Sequence, residues 1–350
     1  MSRNARAQFI LLALLLLTGR LRAAESLPAP ASAATARVVL VQGQNLLSAY
    51  LPDNARVEAA FNRGLTQFTH SRDAAAAWLA LVTTNDTVGI KVFSTPGPLC
   101  GTRPAVVAAM VRGLLAAGLP QQHILIWDKH AQDLRAAGFF ALGEVLGVRV
   151  AGAMETGYDE NSFYLPDSPV IGALLWGDLE FGKKEKDPAA GKKSFVAKLV
   201  SRQMTKIISV APLINENNAG VCGHLFSLAL GSVDNTRRFE ANGGERLARA
   251  LAEINALPVI GDRVVLHVTD ALLGQSEGGP ASYLQFSTVL NQLWFSHDPV
   301  ALDLLAAKEL EQESKLAGRQ FRTNQEIFNL AALLQLGVNE PNRIYVEQVR

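Results

Sequence analysis

Two short apolar runs enclose one helical segment near residue 100, and this order constrains the fold more than any other feature. Residues 87–92 and 124–127 are predicted strands, and residues 104–117 form a predicted helix that Gly118 ends. A strand, helix, strand order at this spacing indicates a βαβ crossover with parallel strands. The pattern predicts an α/β fold: a mixed, largely parallel sheet flanked by helices, in a single large domain.

The same periodicities predict the other helices and strands, and the composition limits which classes of protein are expected. The other predicted strands are residues 38–41, 170–176, 206–210, 263–269 and 288–295, and the other predicted helices are residues 56–68, 73–82, 225–230, 246–254, 299–310 and 325–336. At 350 residues and 49% hydrophobic, the chain can bury a large core. The 33 basic and 32 acidic residues nearly balance, so no nucleic-acid partner is expected.

The N-terminus has the features of an export signal. Residues 2–6 are basic, residues 9–18 are apolar, and Ala23 and Ala24 offer a cleavage site. The apolar run is shorter than the roughly 20 residues of a membrane span, so we expect a periplasmic or secreted protein with no stable span after cleavage. An uncleaved N-terminal anchor is the alternative. The predicted division is a signal peptide at 1–24, a flexible linker at 25–36 and the α/β domain at 37–350.

Cysteine content limits the cofactors that the chain can hold. Only Cys100 and Cys222 occur, and the sequence leaves open whether they are buried free thiols or a disulfide. Two thiolates cannot supply the four ligands of an ordinary iron–sulfur cluster. No cofactor is predicted, and an iron–sulfur cluster is not expected.

A polar stretch follows the predicted strand at residues 206–210 and precedes a predicted helix. It contains Asn215, Glu216 and Asn217. Polar side chains at the end of a buried strand are costly unless they bind a ligand or satisfy the local backbone. Parallel sheets bind ligands at the carboxyl ends of their strands. We therefore predict that this stretch forms one wall of a binding cleft.

Other predicted strand ends carry charged residues. Lys91 and Arg103 flank a loop before the helix that starts at Pro104, and a helix N-terminus with two cations attracts a phosphate or carboxylate. An ordinary capped loop with solvated cations is the alternative. Asp128, at the next strand end, either faces a ligand or caps the following helix. Asp270 closes a later strand.

Three further residues have structural interpretations. His267 alternates with apolar neighbours and is predicted to be a core histidine. Asp298 precedes Pro299 and is a predicted helix N-cap. Asp303 lies among apolar residues, so we expect it to be partly buried and paired.

Several motifs in consistent order resemble one family. They are Gly89–Val92, Thr102–Val107, the strand ending at Asp128, Ala219–Gly223, Gly231–Asn235, Asp270–Leu272, Gly278–Pro280 and Asp298–Asp303. Over residues 85–310 the chain resembles the family of the domain of unknown function 362. Many relatives carry a lysine and a histidine before the Ala-Gly-Val equivalent, where this chain has Asn215, Glu216 and Asn217. Some also append cysteine-rich cluster segments, which this chain lacks.

These observations favour two classes of function. The first is an enzyme in which Asp128, Glu216 and Asp270 act as general acids or bases on a small anionic substrate. The predicted substrate-binding residues are Lys91, Thr102, Arg103, Asn215, Asn217, His224, Asn235, Gly278 and Gly279. The alternative is a non-catalytic periplasmic binding protein that has lost the family's basic site residues. A metal site built from Asp128, Glu216, Asp270 and His224 is a third hypothesis, without diagnostic ligand spacing.

Overall fold

The computed structural model describes residues 35–166, 193–244 and 246–350. The predicted signal peptide, nearly all of the predicted linker and the predicted strand at 170–176 lie outside these ranges. The first strand begins at Ala36, which the sequence analysis assigned to the linker. Among the described residues, no helix has both the length and the apolar character needed to cross a membrane.

The helices and strands are labelled in chain order. Helices α1 to α12 are Asn54–Thr69, Ala74–Leu79, Gly97–Cys100, Pro104–Ala116, Ala131–Ala136, Phe139–Leu146, Ala153–Thr156, His224–Ser232, Arg237–Gly244, Leu247–Asn255, Pro299–Leu316 and Gln325–Leu333. Strands β1 to β13 are Ala36–Gln42, Leu47–Ser48, Leu51–Pro52, Val88–Val92, Ile124–Asp128, Arg149–Gly152, Tyr158–Tyr164, Ser194–Ala197, Lys206–Glu216, Gly220–Val221, Val264–Gln275, Ser287–Ser296 and Ile344–Val349.

A nine-stranded sheet organises the domain. Its order is β13-β1-β12-β11-β9-β4-β5-β6, with the short β10 beside β9. The pairs from β11 through β9, β4 and β5 to β6 are parallel, whereas β12 is antiparallel to both of its neighbours. The predicted mixed, largely parallel sheet flanked by helices is confirmed.

The βαβ unit on which the fold prediction was based is present. Every residue of β4 and β5 is buried, and Pro104 occupies the first turn of α4. The register pairs Lys91 with Trp127, so Asp128 lies one residue further along the neighbouring strand. This placement brings the ends of β4 and β5 to one edge of the sheet, where side chains from both strands can meet.

Strand β9 is longer than predicted. The apolar run suggested an end at Val210, but the strand continues through Pro212 to Glu216. Pairing with β4 stops at Val210, and pairing with β11 shifts register just after Pro212. A residue that cannot donate to a ladder is accommodated where pairing is interrupted. The polar stretch is therefore the end of a strand rather than the loop after it.

Other boundaries also differ from the predictions. Strand β11 continues past Asp270 to Gln275, because register shifts on both sides let the strand bend without ending. Helix α11 runs to Leu316 rather than to residue 310, and α9, which begins at Arg237, was not predicted. Strand β13 was missed, because its apolar residues alternate with polar ones and are only partly buried.

Candidate functional site

Lys91 and Asp128 form a buried ion pair at the carboxyl ends of β4 and β5. Lys91 Nζ lies 2.8 Å from Asp128 Oδ1, and the two side chains are 1% and 6% exposed. The ammonium also donates to the carbonyl oxygen of Val92 at 2.7 Å and to Ser227 Oγ at 3.0 Å. These three bonds use all three of its N–H donors. A Cβ at Gly231 would lie 2.2 Å from Lys91 Cε, so α8 packs directly on the lysine.

Asp128 is saturated with donors. Oδ1 accepts from Lys91 and from the Lys129 backbone N–H at 2.8 Å, and Oδ2 accepts from both the N–H and the hydroxyl of Ser94 at 2.7 Å. Burial alone would raise its pKa, but Lys91 and the Ser94 donors outweigh burial and hold the pKa of Asp128 below its ordinary value. Its four lone-pair positions are occupied. Lys91 and Asp128 therefore stabilise the strand ends and have little capacity left for a ligand.

Arg103 and Asp270 form a second buried pair. Arg103 Nη1 lies 2.9 Å from Asp270 Oδ1, with side-chain exposures of 1% and 0%. The backbone N–H of Arg103 donates to Oδ2 at 2.9 Å, so the carboxylate also caps the start of α4. Thr102 donates to the Val210 carbonyl at 2.8 Å and accepts from the Phe93 N–H. These predicted site residues are parts of the scaffold, because long-range contacts that the sequence does not reveal occupy them.

A cleft of about 220 Å³, the Asp128 cleft, opens over the first ion pair. Charged and hydroxyl side chains line part of it: Thr95, Asp128, Lys129, His130, Ser227, Thr236, Arg237 and Glu240. Apolar residues line the rest: Phe93, Phe226, Leu230, Gly231 and Pro280. Lys129 Nζ donates to Thr236 Oγ1 at 2.6 Å, which ties the end of β5 to the start of α9. The cleft thus combines an apolar floor with polar groups at the carboxyl edge of the sheet.

A second cavity, the Glu216 cavity, has a volume of about 470 Å³. It lies at the hairpin formed by β9 and β10, where Gly220 pairs with Glu216. Glu216 Oε2 accepts the backbone N–H groups of Asn218 and Ala219 at 2.8 and 2.6 Å. Asn217 is exposed at the tip of the hairpin and also lines the cavity. This is the predicted polar stretch, and it does form one wall of a cavity.

A second wall of the cavity comes from segments that were not predicted to contain site residues. Ser276 and Glu277 follow β11, and residues 319–322 follow α11. Arg319 lies 3.1 Å from Glu277 and donates to Ser276 Oγ at 3.0 Å. Residues 319–322 carry no recognisable motif. The one local signal is that two arginines, Arg319 and Arg322, follow Gly318 shortly after the helix ends at Leu316.

The loop at residues 277–280, between β11 and β12, packs against Asn215 of β9. Asn215 Oδ1 accepts the Gly279 N–H at 2.8 Å, and a Cβ on Gly279 would lie 1.9 Å from the Asn215 carbonyl oxygen. We predicted that Gly278 and Gly279 allow a close approach to a ligand, but Gly279 approaches Asn215 instead. Pro280 then lines the Asp128 cleft, while Glu277 lines the Glu216 cavity. The proposed single cleft is thus two cavities, with this loop contributing to both.

His224 and Asn235 do not line either cavity. The His224 ring is buried between Ser209 Oγ at 2.9 Å and Thr269 Oγ1 at 3.1 Å, and burial holds its pKa well below the ordinary value. Asn235 adopts a left-handed conformation, with φ of 50°, and its side chain donates to the Lys193 carbonyl at 3.1 Å. His224 therefore joins the start of α8 to β9 and β11, and Asn235 joins the segment after α8 to the residue before β8.

The structural interpretations of two acids hold. Asp298 accepts the Ala301 N–H at 2.8 Å and caps α11, as predicted. Asp303 is buried, and its carboxylate accepts the backbone N–H groups of His224 and Leu225 at 2.7 and 2.8 Å. Its partner is thus the N-terminus of α8 rather than a cation. Burial raises the pKa of Asp303 to about 7, and the two N–H donors oppose that rise.

Cys100 and Cys222 are both buried free thiols. Burial raises the pKa of the Cys222 thiol well above its ordinary value. Within the described ranges, no three His, Cys, Asp or Glu side chains form a group that could hold a metal ion. The four residues of the metal hypothesis have other contacts: Asp270 binds Arg103, His224 binds Ser209 and Thr269, and Asp128 and Glu216 line different cavities.

Comparison with known proteins places the chain among relatives. The profile of the Domain of unknown function (DUF362) matches residues 88–308, close to the predicted span of resemblance. A structural-genomics crystal structure of a protein from Thermotoga maritima is similar, at 12% sequence identity and a TM-score of 0.43. That match covers 78% of this chain but only 60% of the Thermotoga protein. No curated protein matches the chain.

Proposed function

This chain belongs to the family of the domain of unknown function 362, and we propose that it binds a small organic anion in the Asp128 cleft without chemical turnover. The observation that carries the proposal is the balance of charge around that cleft. Lys129 and Arg237 contribute two positive charges, and Asp128 and Glu240 two negative ones. Counted together with Lys91, which pairs with Asp128 from behind, these side chains carry a formal net charge of +1.

The shape and lining of the cleft select the class of anion. A volume of about 220 Å³ suits a ligand of few heavy atoms. The apolar side includes Phe93, Phe226 and Leu230, which favour a ligand with an apolar body. The hydroxyl groups of Ser227 and Thr236 line the same space; each accepts a hydrogen bond from a lysine and retains its own proton for an anionic head group. The Thr95 hydroxyl also lines the cleft, but it donates its proton to Asp133. A small carboxylate with a hydrocarbon or aromatic body combines these properties.

The bonding of Asp128 and Asp270, two of the three predicted acids, favours binding over acid–base catalysis in this cleft. A general acid or base must have a lone pair or proton within reach of the substrate. Asp128 accepts four hydrogen bonds from the protein, and Asp270 is fully buried against Arg103. Neither carboxylate is placed to exchange a proton with a molecule in the cleft. This arrangement supports the non-catalytic alternative among our predictions.

We also propose that the protein acts outside the cytoplasm. The support is the sequence of residues 1–24, with its basic start, apolar run and small residues at Ala23 and Ala24. N-terminal sequencing of the protein from fractionated cells tests this proposal. A mature chain that starts near residue 24 supports export with cleavage, whereas an intact N-terminus in the cytoplasmic fraction contradicts it.

Thermal unfolding with and without benzoate tests anion binding. Benzoate should raise the melting temperature, and uncharged benzamide of the same shape should not. Lys129→Met should reduce the benzoate effect, because it removes a positive charge from the cleft. Lys308→Met, an exposed lysine of α11, is the matched control and should leave the effect unchanged. Equal responses to benzoate and benzamide would refute the proposal.

A further inference from the structure

We propose that the Glu216 cavity binds a zwitterion, with its ammonium group on Glu216 and its carboxylate on Arg322. The cavity of about 470 Å³ lies within the range of roughly 300–1,000 Å³ typical of small-molecule sites. This site is separate from the Asp128 cleft, and the inference does not depend on the anion proposed there.

Glu216 is a buried carboxylate with one oxygen left for a ligand. The residue is 7% exposed and lines the cavity. Oε2 accepts two backbone N–H groups of the hairpin, which fix the side chain. Oε1 accepts no hydrogen bond from the described residues, and no cation among them lies within ion-pair distance of the carboxylate. Oε1 is not one of the fully enclosed unpartnered oxygens, so it is accessible from the cavity, where a cationic donor would form a charge-assisted hydrogen bond with it.

Arg322 provides the complementary charge at the same cavity. It is an exposed residue that lines the cavity, and no acid among the described residues pairs with it. The neighbouring Arg319 is different, because its guanidinium is held by Glu277 at 3.1 Å. The cavity therefore contains one internal ion pair and two further opposite charges, on Glu216 and Arg322. A guanidinium is well suited to bind a carboxylate through two parallel hydrogen bonds.

The two walls are fixed to each other through the backbone. Asn324 Nδ2 donates to the Asn218 carbonyl at 3.0 Å, and the Asn324 N–H donates to the Ala219 carbonyl at 3.4 Å. These bonds attach the segment that carries Arg322 to the hairpin that carries Glu216. Glu216 and Arg322 therefore line the same cavity but do not form an ion pair with each other. A molecule with both an ammonium and a carboxylate can satisfy the two at once.

The chemistry of the lining agrees with such a ligand. The remaining polar groups are uncharged and can both donate and accept: Asn215, Asn217, Ser276 and Gln320. The charges of Glu216, Glu277, Arg319 and Arg322 balance, so an ion of one sign gains no net attraction from the cavity. A neutral zwitterion of the amino-acid class matches this balance, whereas a simple anion or a simple amine does not.

Isothermal titration calorimetry on the purified protein tests the inference with ω-amino acids from glycine to 6-aminohexanoate. The series varies the distance between ammonium and carboxylate. At least one member should bind saturably, and its N-acetyl and carboxamide derivatives should bind at least 10-fold more weakly. Glu216→Gln retains an oxygen for the hairpin N–H groups but removes the charge. This substitution and Arg322→Met should each weaken binding of that amino acid at least 10-fold.

Matched controls separate the site from general effects of charge. Glu326→Gln in α12 and Arg63→Met in α1 remove exposed charges that do not line the cavity, and both should leave binding unchanged. The inference is overturned if no member of the series binds, or if binding survives both substitutions at the site. It is also overturned if the acetylated or amidated derivative binds as well as the amino acid. A benzoate response that persists in Glu216→Gln would show that the anion proposal stands independently.

Discussion

Lys91 Nζ lies 2.8 Å from Asp128 Oδ1 at the ends of neighbouring parallel strands, and both side chains are shielded from water. Each charge is further satisfied by groups of the protein, so the pair supports the floor of the Asp128 cleft. Because burying two ions is costly, such a pair is sensitive to loss of either partner. Its role is therefore measurable through stability as well as through binding.

Asp128→Asn should strongly destabilise the protein. The substitution leaves the Lys91 ammonium buried without its counter-charge, which typically costs about 3–5 kcal/mol. Urea unfolding at neutral pH measures the loss. Glu58→Gln is the control, because it breaks the exposed Arg112–Glu58 pair and should cost less than about 1 kcal/mol. Similar losses in the two variants would mean that the Lys91–Asp128 pair is not a buried structural pair.

Gly279→Ala should disturb the loop that contributes to both cavities. The added Cβ would meet the Asn215 carbonyl oxygen at 1.9 Å, so the backbone must move. Overpacking of this kind costs about 1–3 kcal/mol, and the shift of Pro280 should weaken benzoate binding in the Asp128 cleft. Thermal unfolding with benzoate measures both effects. Gly118→Ala is a control that is destabilising for a different reason, the φ of 95° at Gly118; its Cβ would meet only Thr84 at 3.7 Å, and it should leave the benzoate response intact.

The pKa of Asp303 predicts a pH dependence of stability. Burial raises this pKa to about 7 from an ordinary value of 3.8. Between these values the folded chain holds a proton that the unfolded chain releases, so the free energy of unfolding falls as pH rises from about 4 to 7. Compared with Asp303→Asn, the wild type should lose up to about 4 kcal/mol across this window. If the difference in free energy of unfolding between the wild type and Asp303→Asn stayed constant across this pH range, the raised pKa of Asp303 would be contradicted.

His267 predicts the opposite slope. Burial, together with the neighbouring His297, lowers its pKa to about 3 from an ordinary value of 6.5. The unfolded chain therefore binds the extra proton in this window, and the contribution of His267 to stability rises with pH from about 3 to 6.5. His267→Phe should remove this pH dependence. When the pH is lowered from 7.5 to 4, the free energy of unfolding of the variant should therefore rise by about 3 kcal/mol relative to that of the wild type. Denaturant unfolding at the two pH values provides the comparison.

The fold was largely predictable, because buried strands of a parallel sheet read as continuous apolar runs. Residues 87–92 and 124–127 identify β4 and β5 to within one residue. Strand β13 was not predicted, because Tyr345, Glu347 and Gln348 interrupt its apolar pattern. The extension of β9 past Pro212 depends on where β4 and β11 stop pairing, and a single strand's sequence does not contain that information.

The arrangement of the strand ends was predictable, but the contacts of their side chains were not. Lys91 and Asp128 were placed at adjacent strand ends correctly, since parallel strands meet at one edge. Their mutual neutralisation depends on distances between strands and on α8, which delivers Ser227. Lys129 was overlooked beside the more conspicuous Asp128. Arg322 comes from a loop more than 100 residues beyond Glu216 in sequence, and only tertiary packing brings the two to one cavity.

The most direct test of the central claim is a crystal structure of the protein soaked with 4-bromobenzoate, measured at the bromine absorption edge. Anion binding in the Asp128 cleft predicts an anomalous peak beside Phe93 and Phe226, with the carboxylate directed to Lys129. The peak should disappear in Lys129→Met crystals and persist in Lys308→Met crystals. Bromine peaks at other sites with none in the cleft, or a cleft peak unaffected by Lys129→Met, would contradict the account.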